Sequence, residues 1–262
     1  MSIWAVLLIS LICSSVGFVM YIYFFSVGYG LAVAGIALGL LVGFRGSIGI
    51  PELISILLLV FYGLRLAGYL LIRDMKSDGY RKVLNPERER SKKMSIGPKL
   101  AIWIACALLY FLETCPVNFR LYNGAKADVM LWVGEAVMAC GILLELLADV
   151  QKTAAKKKNP RRFVDTGLYS FVRCPNYLGE VLLWLGVLLS GCSAMHGLQW
   201  VAAIAGYILI LYVMVSGARR LEIRQDKNYG ENPEYQKYVK SVPILFPFIP
   251  LYSVKKYKIF AA

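Results

Sequence analysis

The chain reads as an all-α integral membrane protein of about seven transmembrane helices, with its N-terminus outside and its C-terminus cytosolic. Three observations carry that reading. Hydrophobic residues fill 58% of the 262 positions and charged residues only 17%, with a mean hydropathy of +0.60, a balance foreign to soluble domains of this length. The apolar residues gather into stretches near the ~20 residues that a helix needs to cross a bilayer. The basic residues between those stretches fall overwhelmingly on one side.

In chain order, the apolar segments are 3–25, 27–44, 49–72, 99–113, 128–148, 178–195 and 198–216. The first lacks a basic leader and a small-residue cleavage site, so a retained span is expected rather than a signal peptide. The second repeats glycine every fourth residue, Gly35, Gly39 and Gly43, which predicts close helix packing. The third places Tyr62, Arg65 and Tyr69 at helical spacings of three and four, a polar stripe on one face. Glu52 lies about 15 Å up that helix from Tyr62 and is expected to cap its outer end. The fourth is short and ends at Glu113. The fifth closes on Glu145 and Asp149, which share a helix face one turn apart, followed by Gln151 and Lys152. The sixth opens just after Pro175, which prevents a helix from running through. The seventh ends in Arg219, Arg220, Glu222 and Arg224. No separate soluble domain fits in the remainder, since the longest polar segment, Arg73 to Lys99, is short and rich in charge and turn formers.

A net charge of +13 invites a nucleic-acid reading, but its distribution argues for membrane topology. Nine Lys or Arg fall in 73–99, seven in 152–173 and nine in 219–258, so 25 of 29 lie on one side of a seven-span chain. Only Arg45, Arg120 and Lys126 fall in opposite loops, and Arg65 lies within a span. The positive-inside rule then makes the basic side cytosolic, and the same charges attract anionic lipids. The six cysteines contain no C-x-x-C pair, and the single histidine, His196, falls in a short turn, so a metal site or a disulfide framework is not expected. No glycine-rich dinucleotide fingerprint and no Walker-type loop is present.

The chemistry concentrates in the run GLYSFVRCPNYLGE, Gly167 to Glu180. Ionisable groups at membrane depth persist where they face a cavity, a partner or a ligand. Here Arg173, Asn176 and Glu180 stand at the mouth of an apolar span, preceded by the basic loop AAKKKNPRRF, Ala154 to Phe163. That loop suits phosphates through charge and guanidinium hydrogen bonds. The Tyr62–Arg65 face reads as a pocket in which arginine supports a tyrosine hydroxyl aimed at a ligand oxygen, or as snorkelling arginine with interfacial tyrosines.

Over about Glu145 to Pro250 the chain resembles the C-terminal domain of the steroid 5-alpha-reductase family, including its bacterial-type branch. The resemblance rests on ELLADVQK (Glu145–Lys152), Arg162-Phe163, GLYSFVRCPNYLGE and the closing Glu222, Tyr235, Tyr238 and Phe248-Ile249-Pro250. It implies a multi-helix membrane reductase that takes NADPH from the cytosolic side and reduces the C=C bond of a lipophilic α,β-unsaturated carbonyl drawn from the bilayer. It further implies that Asp149, Arg162, Asn176 and Glu180 contact the cofactor, with Lys156, Tyr169, Arg173, Arg220 and Tyr235 alongside. Tyr62, supported by Arg65, corresponds to the family's carbonyl-polarising tyrosine. Cys174 stands where many relatives carry histidine, and no Gln-Glu dipeptide of the steroid-reducing kind precedes Tyr62. A rival resemblance is to the isoprenylcysteine carboxyl methyltransferases, which share the Arg-x-Pro-x-Tyr turn and a Tyr-x-x-Tyr tail before Val242-Pro243 and bind S-adenosylmethionine.

Overall fold

A computed structural model describes residues 1–76 and 78–260. Among these residues there is no strand, and nine helices follow in order: α1 Ile3–Ser14, α2 Val27–Gly43, α3 Ile50–Lys76, α4 Asp78–Lys93, α5 Ile96–Tyr122, α6 Val129–Lys158, α7 Pro175–Cys192, α8 Leu198–Tyr229 and α9 Pro233–Ser241. Four of them, α3, α5, α6 and α8, are long and apolar enough to cross a membrane, while α1 and α2 are shorter apolar helices.

The structure departs from the sequence reading at three places. The first apolar segment is not one helix. The Ser14 and Ser15 hydroxyls bond back to the carbonyls of Ser10 and Ile12 at 2.7 Å each, which weakens a helix from within, and the chain reverses through 3-10 turns at Ser15–Phe18 and Tyr21–Phe25. The polar stretch after α3 is helical as α4, with Pro86 inside it. It is held by Arg88, whose Nη2 donates to both Asp74 oxygens at 2.6 and 2.8 Å, while the Tyr23 hydroxyl donates to Asp74 at 2.6 Å. The fourth span does not stop at Glu113, because α5 continues through Pro116 to Tyr122. Its charged residues are buried by neighbours: Arg120 is a 2%-exposed side chain within a helix rather than a loop residue.

The chain divides into two compact units, residues 1–135 with 187–207 and residues 136–186 with 208–262. In the first unit α1 lies antiparallel on α2, and the expected glycine ladder does pack: a Cβ at Gly39 would stand 2.4 Å from Ile9, and one at Gly35 2.5 Å from the Cys13 sulfur. Without a hydrophobic drive between helices in lipid, such close backbone approach is what holds them. One end of this unit is a buried polar knot. Arg120 donates to the Ser190 carbonyl at 3.0 Å, to Ser193 at 3.1 Å and to Asp128 at 2.9 Å. Glu52 faces Arg120 Nε at 3.9 Å, so it pairs with α5 rather than capping α3. Ser55 donates to Glu135 at 2.8 Å.

The second unit is closed by the tail after α9. The amides of Arg173 and Cys174 donate to the carbonyls of Pro243 and Ile244 at 2.9 and 3.0 Å. Ile244, Leu245 and Val254 pack with Cys174, Ala218 and Leu221. His196, in the turn before α8, is exposed as expected.

Candidate functional site

In the second unit α6 and α7 run antiparallel and cross at Gly141 and Gly179. A Cβ at Gly141 would stand 2.6 Å from the Gly179 carbonyl oxygen, and one at Gly179 would stand 2.7 Å from that of Gly141 and 2.8 Å from the Glu145 amide. This reciprocal contact sets Glu145 beside Gly179 and thus next to Glu180, both 5% exposed. The antiparallel register then brings Asp149, one turn beyond Glu145, level with Pro175 and Asn176 at the start of α7. Glu180 accepts a hydrogen bond from Trp184 Nε1 at 3.2 Å. Asn176 Oδ1 is buried and accepts no hydrogen bond from the protein, which leaves an acceptor for a ligand donor, since an unsatisfied buried oxygen costs about 1–3 kcal/mol.

The loop after α6 builds the neighbouring rim. Gly167 adopts φ +63°, a left-handed conformation suited to glycine, directly against the Gln151 amide, which accepts from the Leu168 N–H at 2.9 Å. A cavity of about 620 Å³ lies here, lined by Gln151, Ala155, Lys158, Arg162, Asp165 and Gly167 among others. Arg162 is held by Asp165 at 2.8 Å and by Glu234, and these acceptors raise its already high pKa. Lys156 donates to the Arg162 carbonyl at 2.6 Å and the Tyr229 hydroxyl at 2.8 Å. Phe163 sits among Tyr229, Tyr235 and Tyr238, with ring centroids 5.3 to 5.9 Å apart.

Three residues expected at a cofactor are engaged in holding this wall together. The Arg173 side chain is 2% exposed, donates to Glu222 at 3.1 Å and to the Tyr252 carbonyl, and so ties the tail down. Glu222 also accepts from the Val254 N–H at 2.9 Å. Tyr235 donates to Asp226 at 2.8 Å; burial and that carboxylate push its hydroxyl pKa well up. Tyr169 donates to the Ala148 carbonyl at 3.2 Å and its own carbonyl accepts from Tyr238 at 2.7 Å. Arg220 is exposed on α8. Burial pushes the Cys174 thiol up to about 12, against nearby Arg173 and Lys152.

The first unit holds a second polar constellation. Helices α2 and α3 cross at Gly30 and Gly63, where a Cβ would stand 2.5 Å and 2.4 Å from the opposite glycine's carbonyl oxygen. The next contacts are Ala67 on one side and Ala34 on the other, so the crossing is a local two-fold. The residue before each glycine is a tyrosine. Tyr62, fully buried, donates to the Tyr29 hydroxyl at 3.3 Å, and the Tyr29 ring lies 4.9 Å from that of Tyr110, centroid to centroid. Half-buried Arg65 lies over the Tyr69 ring at 5.7 Å.

The sequence profile of a family described as a protein of unknown function, DUF1295, matches residues 13–242. The chain belongs to that family. The family is steroid 5-alpha-reductase-like. Among curated proteins, the chain is 31% identical over 140 residues to a very-long-chain enoyl-CoA reductase of Dictyostelium discoideum, covering 51% of this chain and 41% of that one. It is 27% identical over 181 residues to the steroid 5-alpha-reductase DET2 of Solanum lycopersicum, covering 64% of each. The chain thus spans less than two thirds of either relative's length. No solved structure matches it. Both relatives are reductases, which supports a membrane reductase over a methyltransferase.

Sequence reasoning missed Tyr29. The signal was present as a repeat: Tyr29-Gly30-Leu31-Ala32-Val33-Ala34 and Tyr62-Gly63-Leu64-Arg65-Leu66-Ala67 share tyrosine, glycine, leucine and alanine at the same four places.

Proposed function

We propose that the protein is a membrane oxidoreductase that reduces the C=C bond of a lipophilic α,β-unsaturated carbonyl with hydride from NADPH. The observation that carries the reading is the buried Asn176 oxygen with no protein donor, placed by the α6–α7 crossing beside buried Glu180 and level with Asp149, in a chain whose relatives are reductases. An acceptor among carboxylates fits a ligand rich in amide and hydroxyl donors, as a nicotinamide riboside is. Reduced nicotinamide, when bound, supplies the hydride.

The chain's residues do the rest. Asp149, Asn176 and Glu180 hold the nicotinamide riboside through its hydroxyl and amide groups. Lys156, Arg162 and Arg220 meet the phosphates, since guanidinium and ammonium groups give charge-assisted bonds to phosphate oxygen. Tyr169, Arg173 and Tyr235 fix the wall behind them. Tyr62 donates to the substrate carbonyl as enolate charge develops, the kind of preorganised donor that is worth most in a dry site, and Arg65 supports the electrostatics of that helix. With the basic segments on the cytosolic side, NADPH is available from the cytosol and the substrate enters from the bilayer.

The test is thermal stabilisation of the detergent-purified protein by NADPH, NADH and S-adenosylmethionine, because a ligand specific to the native state raises stability by mass action. NADPH is expected to raise the melting temperature and S-adenosylmethionine to leave it unchanged. Asn176→Ala should weaken NADPH binding by about 1–3 kcal/mol. Binding of NADPH to Asn176→Ala and Glu180→Gln as to the parent would refute the assignment.

A further inference from the structure

Of the buried hydroxyls among the described residues, that of Ser216 on α8 has no hydrogen-bond partner, although the residue is only 2% exposed. A serine or threonine inside a helix can satisfy its hydroxyl by bonding back to a carbonyl three or four residues earlier. Ser14, Thr114, Ser190 and Ser241 all do so. Ser216 forgoes that bond. A buried hydroxyl without a partner is costly, and the cost is removed if a ligand supplies the acceptor.

The register of α8 on α7 shows what this hydroxyl faces. The two helices follow one another through the short turn 193–197 and run antiparallel. A Cβ at Gly217 would stand 3.2 to 3.4 Å from the ring edge and hydroxyl of Tyr177, so these two positions face each other. In an antiparallel pair, the residues that precede two facing positions fall on one side of the contact and those that follow fall on the other. The residues that follow, Leu178 and Ala218, do meet, in the cluster with Cys174, Leu221 and Ile244. The residues that precede are Asn176 and Ser216, and they share the opposite side. At ~1.5 Å per residue their heights differ by about 3 Å, with Ser216 between Asn176 and Glu180. Arg220 lies one turn further along the same face of α8. All of these belong to the second unit, as does Gln151 of the 620 Å³ cavity, two residues from Asp149.

The two buried atoms are complementary. Asn176 Oδ1 accepts, and a serine hydroxyl donates. A primary carboxamide offers the reverse set on one edge, N–H donors beside a carbonyl acceptor. We propose that Ser216 is a cofactor-binding residue: its hydroxyl donates to the carboxamide carbonyl of the nicotinamide while Asn176 accepts from the carboxamide N–H. The pair then fixes the plane of the carboxamide and with it the face that the ring presents to substrate, and Arg220 takes the phosphate end. This deepens the NADPH assignment above and rests on it.

The experiment measures dissociation constants by isothermal titration calorimetry in detergent, for parent, Ser216→Ala and Asn176→Ala. The ligands are NADPH and its 3-acetylpyridine analogue, in which the carboxamide carbonyl is kept and the NH2 is replaced by methyl. Ser216→Ala is expected to weaken both ligands roughly ten-fold, the scale of losing one hydrogen bond. Asn176→Ala is expected to weaken NADPH similarly and to leave the analogue near the parent's value. Without ligand, Ser216→Ala should melt at or above the parent, because it removes a buried group that has no partner. Ser216→Cys, with only a weak donor, carries the same expectation for affinity if Ser216→Ala does not fold. Parent-like binding of both ligands to Ser216→Ala, beside a weakened Asn176→Ala, would overturn the proposal and leave the cofactor assignment standing. So would a Ser216→Ala that loses affinity for NADPH but not for the analogue, or one whose loss follows a fall in its ligand-free melting temperature. If the parent binds no NADPH, the cofactor assignment falls and the role of Ser216 with it.

Discussion

Replacing Gly63 with alanine adds one methyl group at the place where α2 and α3 are closest. The new carbon would stand 2.4 Å from the Gly30 carbonyl oxygen, 2.7 Å from the Ala34 amide nitrogen and 3.0 Å from the Ala34 Cβ. Two of these are backbone atoms of α2, so no change of rotamer relieves the clash. A tolerable carbon–oxygen approach is about 3.3 Å, which requires the helices to part by roughly 1 Å. Overpacking of this kind costs about 1–3 kcal/mol. The Tyr62–Tyr29 bond, already 3.3 Å long, is then drawn past hydrogen-bonding distance.

Two readouts follow. The melting temperature of Gly63→Ala should fall by several degrees, at about 2–4 °C per kcal/mol for a chain of this size. Its turnover should fall, because the crossing carries Tyr62, while NADPH affinity is retained, because the residues assigned to the nucleotide belong to the other unit. The comparison is Gly68→Ala on the same helix, where a Cβ meets nothing within 4 Å and alanine favours the helix by about 1 kcal/mol. If Gly63→Ala melts with Gly68→Ala and turns over like the parent, the crossing is looser than described and does not hold Tyr62 in place.

Two further outcomes are expected. Burial raises the Asp128 pKa, but Ser193, the Leu131 N–H and Arg120 overcome it and hold the carboxyl down to about 2. Because the folded pKa is depressed, its stabilisation is present above the unfolded value of about 3.9 and is lost as pH falls toward 2. Asp128→Asn should therefore melt below the parent at neutral pH and converge with it across that acidic window; a gap that stays constant down to pH ~2 would show that the carboxylate is not the source. Cys174, with its thiol pushed up to about 12 by burial, should resist maleimide in the folded protein and react after denaturation, as read by mass spectrometry of its peptide. Rapid labelling of the folded protein would show that the tail does not cover it.

What the sequence made legible follows from what each signal depends on. The helical class and the long helices α3, α6 and α8 rest on hydropathy, a property of single segments. The end of α5 was illegible for the same reason: Glu113 and Arg120 lower local hydropathy, and only burial against partners from distant parts of the chain makes them acceptable there. Arg120 finds Ser190, Ser193 and Glu52, residues up to 73 positions away, which no window on the sequence contains. The reversal after α1 was hidden because serines that bond back to their own helix, and Phe24 lying over Gly17, leave the average hydropathy untouched. In the candidate site, Asp149, Asn176 and Glu180 were marked by being polar where apolar residues were due. Tyr29 was not, because a tyrosine in an apolar helix is unremarkable until its partner is known.

The two crossings suggest why polar groups occupy these stations. Where glycines let two backbones touch, no side chain lies between the helices, so flanking residues are directed to the edges of the contact and are held there by backbone rather than by rotamer. Tyr29 and Tyr62 precede their glycines, Glu180 follows Gly179, and Glu145 is placed by its contact with the same residue. A donor or acceptor fixed in this way has lost its freedom and its water before any ligand arrives. Electrostatic stabilisation of a developing enolate depends on that condition, and a loop cannot supply it as firmly at membrane depth, where unpaired backbone is costly. A site built on helix crossings should therefore tolerate substitution on the lipid faces, at exposed positions such as Leu57, Phe61 and Leu64, and resist the addition of even one carbon at the glycines.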